Sequence, residues 1–245
     1  MEIPELEDLP DTTDEEIAGS LAALRAVNRY LGGRYAALHD LKRLITRMPT
    51  LHQITLLDIA TGSADIPAAL VRWAKRHGLA VSVTAVDIKE QAVRLAREWN
   101  RNCPEVTLVQ ADALRLPYGP RSFDFVLCSE FLHHLAGEQV VRLLTRIDEI
   151  ARYGFVVTDL RRNWLAYLGI LILTRLFTQN RLVRYDGPIS VLKAFTPEEL
   201  RALAAAAGLK NTRLYLRPLF RMTLVGDRTG GLVPEISLLR AGETA

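Results

Sequence analysis

The stretch Leu56-Leu57-Asp58-Ile59-Ala60-Thr61-Gly62-Ser63-Ala64-Asp65 decides how this chain is read. An apolar run stops in a turn of small residues, and helix-forming sequence begins at once. A second apolar run, 81–86, ends in an acid, Asp87. A strand, a tight turn, a helix and a second strand ending in a carboxylate make the nucleotide half-site of a doubly wound sheet. Small residues let the backbone approach a ligand. The acid accepts hydrogen bonds from ribose hydroxyls.

The spacing argues against a dinucleotide. That fingerprint is Gly-x-Gly-x-x-Gly, and here the frame is Ala60-x-Gly62-x-x-Asp65. An acid at the third glycine would face a pyrophosphate. It suits a cofactor with an ammonium or sulfonium charge instead.

At these residues the chain resembles the class I S-adenosylmethionine-dependent methyltransferases. Their first motif, acid-x-Gly-x-Gly-x-Gly, reads here as Asp58-x-Ala60-x-Gly62-x-Ala64. The Asp-x-Ala-Thr-Gly-Ser form looks most like the branch that modifies quinones and other small molecules. The resemblance runs from about Ile54 to Asp227. It takes in Asp87, Ala111-Asp112-Ala113, the stretch 123–129 and His133-His134-Leu135. Alanines at 60 and 64 replace glycines, which narrows the turn's allowed backbone angles.

The resemblance implies S-adenosylmethionine as cofactor, with S-adenosylhomocysteine as product. It implies an α/β fold: a doubly wound, Rossmann-like, seven-stranded, mostly parallel sheet with a C-terminal antiparallel hairpin. It also assigns cofactor contacts. Asp87 would take the ribose diol, with Ile88 beside it. Asp112 would meet the adenine amino group, next to the Ala113 backbone. Ala60, Thr61 and Gly62 form the turn. Asp58 would orient its N–H groups or reach the methionine end, and Ser129 would meet the methionine part. Asp65 would face the amino group or cap the next helix.

The sulfonium is already a good leaving group, so alignment of the acceptor is the main requirement. A hydroxyl acceptor also gains from a base. His133 and His134 follow the fourth strand, and Asp159 ends the fifth. Neighbouring strands would bring them together, with Asp159 orienting a histidine that removes the acceptor proton. His133 is the preferred base. The competing reading gives both histidines packing or orienting roles. No metal set is legible.

The periodicity fills in the rest. Thr13 to Glu16 is a capping box, and apolar residues from Ile17 to Leu31 recur at helical spacing. Gly32-Gly33 stops that helix and a second follows, to about Ile45. Residues 1–50 thus read as an acidic tail, disordered over 1–12, plus a helical cap over the cofactor cleft. Residues 51–160 alternate strands (54–59, 81–86, 106–110, 123–129, 154–159) with helices (65–77, 89–101, 137–152), the pattern of a parallel sheet. Gly78 and Gly154 read as helix ends. Residues 161–195 form an insert with an apolar run, 164–173, that has no polar side. Such a helix is buried or in lipid and is too short to span a bilayer. Core or lid packing is one reading; a wall for a lipophilic substrate, or membrane-surface contact, is the other. Residues 196–245 supply a last helix capped at Thr196, a closing hairpin (213–216, 220–225) and a loose tail from 228.

Composition bounds the rest. In 245 residues, 49% are hydrophobic, ample for a core. Cys103 and Cys128 offer no disulfide or metal framework, so a reducing, cytoplasmic setting is expected. The net charge is +3, but residues 1–24 hold eight acids and no Lys or Arg. The basic body keeps an RNA or protein acceptor open as a second reading, and binding of the cofactor without transfer as a third. The leading expectation is methyl transfer to a small, lipophilic aromatic acceptor: a phenol, hydroxyquinone or polyketide-derived ring. Oxygen is preferred over carbon.

Overall fold

The computed structural model describes residues 5–6, 12–48 and 51–229. Seven strands form one sheet in the order β3-β2-β1-β4-β5-β7-β6. They are β1 (Gln53–Ile59), β2 (Ala80–Asp87), β3 (Val106–Gln110), β4 (Phe123–Ser129), β5 (Ala151–Leu160), β6 (Thr212–Arg217) and β7 (Arg221–Asp227). β1 lies between β2 and β4, parallel to both, and β5 lies parallel to β4. Only β7 runs against the other strands, antiparallel to both β5 and its hairpin partner β6. Strand order reverses between β1 and β4, the switch point where open α/β sheets bind ligands.

The helices are α1 (Asp14–Tyr30), α2 (Gly33–Thr46), α3 (Asp65–Arg76), α4 (Glu90–Trp99), α5 (Gly137–Ile150), α6 (Trp164–Phe177), α7 (Arg181–Lys193) and α8 (Pro197–Ala206). β1 shows why they sit on both faces. Ile54 and Leu56 join a core with α2, α3 and α4. Leu57 and Ile59 join the opposite core, with α5 and α8. Strands apolar on both sides need cover on both sides. The two expected capping boxes form, at Thr13 with Glu16 and at Thr196 with Glu199.

Three expectations change. Gly154 does not end a helix; it lies inside β5, paired with Asp227. A Cβ at Gly154 would stand 2.6 Å from the Gly226 carbonyl oxygen. The close approach of β7 therefore requires the glycine. α5 stops at Ile150 because Ala151 already pairs with Phe123 of β4. Gly78 does follow a helix, with φ +69°.

The second change is the insert. Its apolar helix α6 is, as expected, too short to span, but it is not core: only Thr174 of it is buried. α6 packs on α7, and α7 in turn packs on α1 and on the 3-10 turn Leu132–His134. Pro188 lies within α7 rather than ending it. The third change concerns the acidic start. Much of 1–12 and nearly all of the tail 228–245 lie outside the described residues. Glu5, however, is buried and paired with Lys193 at 3.0 Å. The Leu6 N–H donates to Asp186 at 2.7 Å.

Gly154→Ala should lower stability by about 1–3 kcal/mol, the range for overpacking a tight site. Urea titration of the two proteins checks this. An unchanged midpoint would mean that β5 and β7 are not this close.

Candidate functional site

Parallel pairing puts the C-terminal ends of β1, β2, β4 and β5 on one edge, and the candidate residues collect there. The turn after β1 is held from two sides. The Thr61 N–H donates to the Val86 carbonyl at 2.9 Å. The Gly62 N–H donates to Asp87 Oδ2 at 2.8 Å. The other Asp87 oxygen accepts from the Lys89 N–H at 3.0 Å. The acid after β2 thus fixes the turn itself, a role the sequence reading did not assign.

Ala60, Gly62 and Ala64 all have positive φ, between 53° and 54°. The alanines keep the left-handed backbone that glycine would adopt without strain, at a cost of roughly 1 kcal/mol each. The turn is strained, not closed. Ala64 precedes α3 without a side-chain cap, so Asp65 does not cap the helix; it is its first residue.

Asp65 is buried and already engaged. It accepts from Arg34 Nε at 3.0 Å, Asn28 Nδ2 at 3.1 Å and Ser63 Oγ at 3.2 Å. Arg34 and Asn28 come from α2 and α1, so the N-terminal helices dock on the cofactor turn through this carboxylate. Gly33 permits that docking: a Cβ there would stand 2.3 Å from Asn28 Oδ1.

Asp58 is buried at the end of β1 and accepts from the Thr61 hydroxyl at 2.5 Å. It does not bond the turn's N–H groups in this structure. Burial pushes its carboxyl up to about 7; the Thr61 hydrogen bond opposes the shift, and Asp65 and Asp87 add to it.

Asp58, Ala60, Thr61, Gly62, Ser63 and Asp65 line a small open cleft that also reaches Leu24 and Asn28 of α1, Ser129 and Glu130. Two buried polar atoms on residues of its wall, Asn28 Oδ1 and Ser129 Oγ, have no hydrogen-bond partner. Unsatisfied buried polar atoms are rare. Their place here, beside three acids, fits a polar cationic ligand such as the amino-acid end of S-adenosylmethionine. Asp112 accepts from the Leu114 N–H at 2.8 Å and so caps the turn after β3. Ala113 is buried behind it. Ile88 is 58% exposed at the end of β2, free to lie against a flat ring.

The second cluster adjoins the first. Glu130, on the cleft wall, has φ +55° and forms an ion pair with Arg221 of β7. Arg221 is almost fully buried, and its Nε donates to the Leu31 carbonyl at 3.1 Å. Three residues past Glu130, His133 Nδ1 stands 2.6 Å from Asp159 Oδ1, both side chains buried. A carboxylate only accepts, so Nδ1 carries the proton and Nε2 is the remaining nitrogen. Asp159 also accepts from the N–H groups of His133 and Leu160. Burial alone would lower the His133 pKa, but the Asp159 charge and hydrogen bond outweigh it, and Glu130 and Glu5 add to them. The net shift is upward from 6.5.

His134 packs on the His133 ring, with centroids 4.4 Å apart, and its Nδ1 pairs with Glu5 at 3.1 Å. Glu5, His133 and His134 have ligand atoms within 4.8 Å of one another, a set that could hold a metal ion. Lys193 shares the same Glu5 carboxylate, which counts against a cation there. Sequence reasoning found the histidines and Asp159. It missed Glu5, Asn28, Arg34, Glu130 and Arg221, which carry no local motif.

Comparison with known proteins fits this geometry. Residues 56–154 match a family model described as a methyltransferase domain. A demethylmenaquinone methyltransferase of Staphylococcus carnosus is 32% identical over 185 residues, covering 71% of this chain and 75% of that protein. This chain belongs to the class I S-adenosylmethionine-dependent methyltransferases. A ubiquinone/menaquinone biosynthesis C-methyltransferase of Rickettsia bellii is 33% identical over 84 residues, about a third of each chain. A methyltransferase structure from Aquifex aeolicus superposes with a TM-score of 0.57 at 15% identity, covering 85% of this chain and 96% of that one. That likeness speaks for the fold alone. The methyltransferase uses S-adenosylmethionine as donor and a small molecule as acceptor. The readings as an RNA or protein methyltransferase and as a binding protein without transfer are set aside. Among the described residues no helix is long and apolar enough to cross a membrane.

Ala60→Gly should raise stability by about 1 kcal/mol, because glycine takes φ 54° without strain. That is roughly 2–4 °C in Tm for a chain of this size. A thermal melt that does not rise would show that the turn is not strained as described.

Proposed function

We propose that this methyltransferase acts on a lipophilic hydroxylated aromatic ring of the quinol or phenol type, with His133 as the base. The buried His133–Asp159 pair beside the cofactor cleft carries this reading. Bound S-adenosylmethionine supplies a methyl group on a sulfonium leaving group. Asn28, Ser129 and Asp58 would hold its amino-acid end, Asp87 its ribose, and Ile88 and Asp112 its adenine. Asp159 keeps the His133 proton on Nδ1 and turns Nε2 toward the acceptor hydroxyl. Removing that proton makes a phenolate. Its charge spreads over oxygen and the adjacent ring carbons, so one base serves either methyl destination.

The relatives tip the choice. The Rickettsia relative is by name a C-methyltransferase of quinone biosynthesis, and the Staphylococcus relative is named for a demethylated quinone. We therefore favour the ring carbon over the oxygen preferred from sequence. After transfer to carbon, the imidazolium returns its proton to the ring oxygen, and the neutral His133 then takes the proton from the methylated carbon and passes it to solvent.

His133→Ala should lower kcat at least about 100-fold, the lower end for a general base. The base works in its neutral form. Wild-type kcat should therefore rise with pH, with its inflection above 6.5, and Asp159→Asn should move that inflection down. Assays with an isotope-labelled methyl donor and a prenylated naphthoquinol test both points. NMR of the product separates carbon from oxygen attachment. Full turnover by the His133→Ala protein would dispose of the base assignment.

Asp58 gives a second test. Its pKa is raised in the empty fold, so its contribution to stability is present below 3.8 and lost as pH rises through about 7. An ammonium group bound beside it favours the carboxylate. S-adenosylhomocysteine binding near pH 6.5 should therefore release a proton. Calorimetry in two buffers of different ionisation enthalpy measures it, and Asp58→Asn should abolish it. Equal heats in both buffers would mean that Asp58 does not meet the cofactor.

A further inference from the structure

α6 presents an unusual surface. Leu165, Leu168, Ile172 and Leu176, at steps of three and four residues, line one face and are 45–71% exposed. Trp164 at its start and Phe177 at its end are 70% and 80% exposed. The opposite face is the one that packs: a Cβ at Gly187 of α7 would touch Thr174 and Ile170 at 3.4 and 3.5 Å. A continuous exposed apolar stripe marks an interaction surface.

The charge around the stripe selects the partner. Between Asp159 and Asp186 the chain has five arginines and no acid. Arg162 pairs with Glu199, and Arg181 pairs with Glu16. Arg161, Arg175 and Arg184 have no acid partner among the described residues. Arg161, half-buried with its guanidinium over the Phe220 ring, lies two residues before the Asn163 cap of α6. Arg175 lies in its last turn, and Arg184 donates to the Thr178 and Arg175 carbonyls at the far end. Positive charge therefore stands at both ends of the apolar stripe.

We propose that α6 lies in the surface of a lipid bilayer that carries anionic headgroups. Its stripe enters the acyl boundary, and Arg161, Arg175 and Arg184 meet the headgroups. At 14 residues the helix is about 21 Å long, short of the ~30 Å hydrocarbon core, so it lies in the plane of the surface. A second copy fits less well: two stripes paired about a two-fold axis would bring the arginine-bearing ends together. On this placement α7, which packs on the His133-bearing turn, joins the active site to the membrane-facing helix.

The test is co-sedimentation of the full chain with vesicles of phosphatidylcholine alone, or with 30% (about one third) phosphatidylglycerol. The expected result is binding to the anionic vesicles at least about tenfold tighter than to the neutral ones, weakened by salt. Leu168→Glu/Ile172→Glu/Leu176→Glu should lose it while keeping its circular dichroism and S-adenosylhomocysteine binding. Arg161→Gln/Arg175→Gln/Arg184→Gln, which leaves the stripe intact, should bind neutral and anionic vesicles alike. Binding to neither vesicle, or binding kept by the triple Glu variant, would overturn the proposal. So would a dimer in gel filtration that the Glu variant dissociates, which would make a second copy the occupant.

Discussion

Parallel pairing of β1 between β2 and β4 is the constraint on which the rest depends. It forces the carboxyl ends of the central strands to one edge and reverses the strand order there. Each strand end delivers an acid or hydroxyl to that edge: Asp58, Asp87, Ser129 and Asp159. Their like charges would repel if left alone. The fold answers with short, specific partners. Backbone N–H groups satisfy Asp87, Thr61 satisfies Asp58, and Arg34 neutralises Asp65. Ser129 Oγ and Asn28 Oδ1, on residues that line the cleft, stay without a partner among the described residues.

The N-terminal helices are part of the site, not a cover laid over it. Asn28 and Arg34 clamp the carboxylate that begins α3. Arg221, buried in β7, reaches both the end of α1 and Glu130 beside β4. A buried guanidinium needs such partners, because removing one leaves an uncompensated charge. Helical cap, closing hairpin and the His133 turn are therefore mechanically linked. Glu5 extends the link further, from His134 to Lys193 of α7.

Chemically, the two halves of the site ask for different things. The proposed cofactor half is lined with acids, one of them pushed up by burial to about 7. With His133 as the proposed base, the acceptor half would need a neutral imidazole, yet its carboxylate partner favours the charged one. A base with a raised pKa is a weaker catalyst at neutral pH and a stronger proton acceptor once free. On the proposed reading that balance would suit an acidic hydroxyl such as a phenol or quinol, which needs little help to ionise.

Much was legible along the chain because it is local. Strand period, small-residue turns and capping boxes depend on neighbours in sequence, so β3 and β4 fall where the pattern puts them, and the other strand and helix ends lie within a few residues of it. The motif at 58–65 and the acids after each strand are local in the same sense. Pairs between distant elements were not legible. Nothing near Gly154 announces Gly226, and nothing near Asp65 announces Arg34. The apolar run of α6 could be read as core or surface, because hydropathy records preference and not placement. Sequence by itself determined the fold class, the cofactor half-site and the histidine pair, since each rests on short-range spacing. Tertiary structure alone decided which acids are neutralised, which histidine nitrogen Asp159 engages and which greasy helix faces outward. Those depend on burial and on contacts between residues more than 25 positions apart, such as His133 and Asp159.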